Sequence, residues 1–197
     1  MNSRLPDPDE LISGMATQME SELSEDPIMI GIHTGGVWVA KLLHHNLKLT
    51  TPLGLIDISF YRDDFSRIGL HPEVKTSCIP TDIEGRSLVL VDDVLQTGRT
   101  IRAALNEIFS WGRPAIVKLV VLVERDGREL PIQPDIVGTR LNLDSSEYIK
   151  LSGPEKLEFS IGQKKSKNLI DFFFNFKKKW LSGSHSLRKV PIFYCGL

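Results

Sequence analysis

A chain of 197 residues, 41% of them hydrophobic and with a formal net charge of −1, has enough apolar material for one sizeable core and fits a single soluble domain. Its two cysteines, Cys78 and Cys195, stand far apart with no Cys-x-x-Cys or His-Cys spacing, so neither a disulfide framework nor a zinc site is implied. Asp7, Asp9 and Glu10 stand where a signal peptide is basic and then apolar, and no apolar run approaches the roughly 20 residues of a membrane span, so a cytoplasmic protein without stable membrane association is expected.

Asp7-Pro8 followed by Glu10 has the form of a helix start. Leu11, Met15, Met19 and Leu23 then recur every four residues as one buried stripe, predicting a first helix. Ile28 to Ile32 reads as a strand and Val37 to Leu47 as a helix. Between them lies His33-Thr34-Gly35-Gly36, where two glycines after a strand let bare backbone approach a diphosphate. A plain strand-to-helix turn has the same form. Leu53 to Ser59 reads as a strand, and the polar, turn-rich stretch from Tyr61 to Pro80 as a functional lid. Arg62 in that stretch is a candidate cation for the closed site, or a member of a surface ion-pair cluster with Asp63 and Asp64.

The most informative run is residues 88–100. Leu88 to Val91 suits a strand buried on both faces, which places Asp92 and Asp93 at its carboxyl end, where open α/β sheets bind ligands. Gly98 permits a turn that other residues resist, and the amides and hydroxyls of Thr97, Gly98 and Thr100 can converge on an anion at the start of a helix over Ile101 to Trp111. Two carboxylates beside a phosphate repel it unless they accept hydrogen bonds from sugar hydroxyls or face a metal ion. A ribose phosphate with Mg²⁺ supplies both. No Walker phosphate loop and no Gly-x-Gly-x-x-Gly after a strand is present. Ala115 to Val123 gives a further strand, and the strand-helix alternation predicts a doubly wound, mainly parallel sheet.

From residue 163 onward the character changes. Eight Lys or Arg and one acid make that stretch net +7, while residues 1–162 carry 16 basic and 24 acidic side chains, net −8. The expected division is therefore a domain over 1–162 and a basic, aromatic-rich extension over 163–197, in which Phe172, Phe173, Phe174 and Trp180 lie among Lys177, Lys178 and Lys179.

Residues 88–100 resemble the thirteen-residue motif by which type I phosphoribosyltransferases bind phosphoribosyl diphosphate (PRPP). Phe60-Tyr61-Arg62-Asp63-Asp64-Phe65, Gly112-Arg113-Pro114 and Arg128-Glu129-Leu130-Pro131-Ile132 narrow the resemblance to the bifunctional pyrimidine operon regulator and uracil phosphoribosyltransferase family, over about residues 5–160. That resemblance implies transfer of phosphoribose from PRPP to uracil, giving UMP and diphosphate, with Mg²⁺ as cofactor. It implies PRPP contacts from Thr34, Gly35 and Gly36 and from Asp92, Asp93, Val94, Leu95, Gln96, Thr97, Gly98, Arg99 and Thr100. Asp92, Asp93 and Arg62 are the implied catalytic residues, Asp92 and Asp93 the metal-facing ones, and Arg125 and Ile149 the lining of the uracil pocket.

Two departures matter. Family members commonly carry Thr-Arg-Gly where this chain has Thr34-Gly35-Gly36, so a fixed positive charge is missing at Gly35. Purine-specific relatives place an Asp where this chain has Gln96, which argues against a purine substrate. The family also implies homo-oligomers, dimers or larger, and in some members binding to leader RNA in control of pyrimidine biosynthesis genes. An active enzyme and a non-catalytic RNA-binding regulator that senses UMP or PRPP both remain open at the level of sequence.

Overall fold

The computed structural model describes residues 5–23, 26–58 and 77–163. Its elements in chain order are α1 (Pro8–Glu22), β1 (Ile28–Ile32), α2 (Gly35–Asn46), β2 (Gly54–Ile56), β3 (Ser87–Leu95), α3 (Arg99–Trp111), β4 (Ile116–Arg125), β5 (Ile136–Leu141), β6 (Glu147–Ser152) and β7 (Glu158–Gln163). Five strands form one sheet in the order β2-β1-β3-β4-β5 with every pairing parallel. Parallel strands need covered faces, and the residues comply: all five of β1 are buried, as are Leu88 to Val91 of β3 and Leu119 to Val123 of β4. Ile12, Met15 and Met19 of α1 and Val39, Ala40 and Leu43 of α2 pack into one cluster, while Ile101, Ala104 and Ile108 of α3 pack into another with Ile28, Leu88 and Leu90. Each such aliphatic side chain contributes about 1.5–3 kcal/mol on burial. The doubly wound sheet predicted from strand-helix alternation is therefore present.

Helix α1 starts as its residues dictate. Asp7 accepts from Asp9 N at 2.8 Å and more weakly from Glu10 N at 3.4 Å, and Pro8 follows at the first helical position. Strand β3 differs from expectation: it runs four residues past Val91, with Asp92, Val94 and Leu95 in register with Val121, Val123 and Glu124 of β4. Asp92 and Asp93 thus lie within the strand rather than beyond it. The backbone ladder continues because β4 is long enough to pair with it, whatever the polarity of the side chains. Helices α2 and α3 begin at Gly35 and Arg99, two residues earlier than their apolar patterns predicted.

Strands β6 and β7 form a separate antiparallel hairpin in which Ile149 faces Ile161 and Leu151 faces Phe159. Ile149 and Leu151 are buried in the α1/α2 cluster. At the other edge of the main sheet, Leu55 and Cys78 exchange two backbone hydrogen bonds of 2.8 Å, and Asp57 N donates to Ser77 Oγ at 3.1 Å. Arg62 and most of the expected lid fall outside the described residues, as does the basic extension from Lys164.

The strand order fixes where a ligand can sit. From β1 the chain leaves through α2 on one face, and from β3 through α3 on the other, so the two carboxyl ends diverge between adjacent strands. That topological switch point is where open parallel sheets hold ligands.

Candidate functional site

Both glycine-containing turns singled out in the sequence lie at this switch point. After β3, Leu95 returns its side chain to the core, and Gln96 and Thr97 lead to Gly98, whose φ of 90° is left-handed backbone that glycine adopts without steric cost. Gly98 caps α3 without a side chain, so first-turn amides are left for an anion, aided by the helix dipole. Thr97 Oγ1 accepts from Arg99 N at 3.2 Å and steadies the turn.

After β1, His33 N donates to Ile56 O at 2.9 Å, the His33–Thr34 peptide is cis, and Thr34 precedes the first residue of α2 without a side-chain cap. The two glycines that follow touch β3 directly. A Cβ on Gly36 would stand 2.6 Å from Val91 O and 2.9 Å from the Asp92 Cα, a backbone collision with no soft partner to yield. A Cβ on Gly35 would collide with the Asp93 carboxylate. The structure therefore brings Thr34, Gly35 and Gly36 together with Asp92 and Asp93. Asp92 is buried, and its Oδ1 accepts from Asp93 N at 3.0 Å.

These carboxylates suit Mg²⁺ chemically. Two hard oxygen donors side by side match an ion that takes one or two carboxylates along with substrate phosphates and water. No group of three or more potential ligands of the His, Cys, Asp or Glu type occurs among the described residues.

The two residues expected around a base are placed differently from one another. Arg125 ends β4, is only 5% exposed, and donates from Nη1 to Glu147 O of β6 at 2.9 Å. Its Nε has no hydrogen-bond partner among the described residues. Arg125 lines an open cavity of about 550 Å³ with Arg128, Pro131, Gln133 and Arg140. Ile149 is two residues along β6 from Glu147, but its side chain lies in the core cluster rather than in that cavity. Asp92, Asp93 and the two glycine turns do not line the cavity either.

In the sequence, Arg128 to Ile132 served only as a mark of family resemblance and received no role at the site, yet the segment from Asp126 to Ile132 lies against the β3–α3 turn. Arg128 Nη1 donates to Gln96 O at 2.8 Å, and Glu129 N and Leu130 N donate to Thr97 O at 3.0 and 3.1 Å. Arg128 also pairs with Glu124 at 2.6 Å, and Arg99 with Glu129 at 2.7 Å. Asp126-Gly127 was a legible turn signal, with Gly127 at φ 102°, but nothing local says which loop it meets.

No described helix is long and apolar enough to cross a membrane. Comparison with known proteins finds a phosphoribosyl transferase domain over residues 10–150. The chain is 57% identical over 161 residues to the bifunctional protein PyrR of Pseudomonas savastanoi pv. phaseolicola, covering 80% of this chain and 95% of that one. It is 56% identical over 153 residues to the bifunctional protein PyrR of Nitrosococcus oceani, covering 77% and 86%. Among solved structures it is similar to a purine phosphoribosyltransferase from Pyrococcus horikoshii, with a TM-score of 0.52 and 27% identity over 68% of this chain and 82% of that one. A hypoxanthine-guanine phosphoribosyltransferase from Bacillus anthracis aligns with a TM-score of 0.56 at 22% identity, over 68% and 79%, a likeness of fold.

Proposed function

The chain belongs to the phosphoribosyl transferase domain family, and on that premise we propose that it is a uracil phosphoribosyltransferase converting uracil and PRPP to UMP and diphosphate. The observation that carries this reading is the meeting of Asp92 and Asp93 with the Gly35-Gly36 turn across the β1–β3 switch point, opposite the open start of α3. One pair of elements then takes the diphosphate, the other the 5′-phosphate, and the carboxylates take the ribose between them.

In the reaction the bond from ribose C1 to the diphosphate oxygen breaks, its electron pair leaving with diphosphate. A bond forms from N1 of uracil to C1, and the N1 proton is released. The chain's task is placement and electrostatics rather than covalent chemistry. Amides at the start of α3 hold the 5′-phosphate, and the backbone at Gly35 and Gly36 admits the diphosphate closely. Asp92 and Asp93 accept from ribose hydroxyls and would hold Mg²⁺, directly or through water. Mg²⁺, when bound, neutralises charge that develops on the leaving diphosphate. Arg125 and the β6 backbone around Ile149 are assigned to uracil, and Arg62 to an added cation on closure.

The relatives' name, bifunctional, supports a second role in regulating pyrimidine gene expression through leader RNA, to which the net +7 extension adds positive charge. The test is direct. Purified chain should form UMP from uracil and PRPP in Mg²⁺, fail to do so in excess chelator, and leave hypoxanthine unconverted. Conversion of hypoxanthine at a comparable rate would reject uracil as the substrate. Titration of leader RNA with and without UMP measures the second role.

A further inference from the structure

In the turn that opens α3, two carbonyl oxygens are held from outside the turn. Gln96 O accepts from Arg128 Nη1, and Thr97 O accepts from the amides of Glu129 and Leu130. Neither peptide is among the cis bonds of the chain, so the N–H of Thr97 points opposite to Gln96 O and the N–H of Gly98 opposite to Thr97 O. Drawing both oxygens toward the 126–132 segment therefore turns both N–H groups away from it. Oxygens left loose in this turn would oppose an anion that the same turn must hold.

Of the groups that do this, only Arg128 is a side chain. Its guanidinium reaches two partners at once, Gln96 O at 2.8 Å and Glu124 Oε1 at 2.6 Å. Arg128 and Glu124 are 24% and 21% exposed, well sheltered beside the 54% and 50% of the Arg99–Glu129 pair, so the first pair is much less screened by solvent. Glu124 is itself anchored, because it stands next to the last residue of β4 in register with Leu95 and its other oxygen accepts from Arg140 Nε at 2.9 Å. Leu130 and Ile132 close the arrangement by packing at Gly98, where a Cβ would meet their Cβ atoms at 3.3 and 3.5 Å.

We infer that Arg128 is a positioning residue for the phosphate-holding turn: braced by Glu124, it fixes the Gln96 carbonyl and so aims the Thr97 and Gly98 amides at the 5′-phosphate. Arg128 touches no substrate in this role, which is separate from that of Arg125 three residues before it. The inference rests on the functional reading above and deepens it, since it assigns the β4–β5 connection to the phosphate half of the site.

UMP and uridine separate the two ideas because they differ only in the phosphate. Calorimetric affinities for both are to be measured on the wild-type chain and on Arg128→Gln, Arg128→Lys and Glu124→Gln. The wild-type chain should prefer UMP strongly. Arg128→Gln should lose about tenfold of that preference, the size expected on removing one charge-assisted hydrogen bond, with uridine affinity and Tm little changed. Arg128→Lys and Glu124→Gln should lose less, and they carry the comparison if Arg128→Gln fails to fold. A preference kept in all the folded variants, or equal losses for UMP and uridine, would overturn the inference. Absence of any UMP binding by the wild-type chain would instead reject the functional reading beneath it.

Discussion

A Cβ built on Gly35 stands 2.5 Å from Cγ and 2.9 Å from Cβ of Asp93, so the Asp93 side chain fills the space that any larger residue at position 35 needs. Gly35 is the first residue of α2, and Asp93 therefore sets a negative charge at the positive end of that helix. Gly35→Ala should displace Asp93 and lower turnover at least tenfold, because misplacement by about 1 Å at a reacting centre costs up to about a hundredfold. Far-UV circular dichroism should stay unchanged. Wild-type turnover in this variant would show that Asp93 can move without consequence.

Asp93→Asn keeps the side-chain shape but removes the charge assigned to ribose and Mg²⁺. Turnover should fall about a hundredfold or more, in the range seen when one group stabilising transition-state charge is lost. The Tm should hold, since Asp93 is only partly buried. Full activity in the folded variant would remove Asp93 from the mechanism.

Asp26 offers a pH-dependent prediction away from the site. Its carboxylate accepts from the Thr50 and Thr51 hydroxyls at 2.7 Å each and from their amides at 2.8 and 3.0 Å. These bonds, the Thr50 hydroxyl foremost, hold its pKa well below the ordinary carboxylate range. A depressed folded-state pKa stabilises the fold above the unfolded value of about 3.9, and that contribution is lost as pH falls below it. Asp26→Asn tolerates the same left-handed backbone, φ 48°, and isolates the charge. Its Tm should be lower at pH 7, by about 2–4 °C for each kcal/mol lost, and the gap should narrow below about pH 4. A gap that stays constant down to pH 3 would mean that the charge contributes nothing.

Deletion after Gln163 should leave UMP formation within about twofold of the full chain, because the residues assigned to phosphate, ribose and base all precede that point. This is a difference too small to count as loss of a catalytic interaction. Loss of leader-RNA affinity on deletion, with a shallower salt dependence, would identify Lys177 to Lys179 as phosphate contacts. Collapse of catalysis in a folded truncation would mean that the division of the chain is wrong.

Much of this architecture is legible in sequence wherever one element decides its own fate. The five buried residues of β1 and the Asp7-Pro8 start of α1 read correctly because burial and capping are local. The stripe of α1 was read off its centre: Leu11 and Leu23 are only partly buried, while Ile12 and Ala16 are buried with Met15 and Met19, because α2 and β5 both pack against this helix. Strand β3 was cut short at Asp92 because polarity says nothing about a ladder supplied by β4. The β6–β7 hairpin went unnoticed although Tyr148, Lys150 and Ser152 alternate with buried Ile149 and Leu151, a period of two that was available to be seen. Likewise the glycine turns of the site were evident, but not their mutual contact. Gly35 and Asp93 are 58 positions apart, and only the parallel pairing of β1 with β3 brings them together.

The paired bonds between Leu55 and Cys78 lie on the outer side of β2, the edge strand of the main sheet. Leu55 therefore has its outward N–H and C=O already satisfied, so at this position the sheet offers no open backbone groups on which a second chain could add a strand.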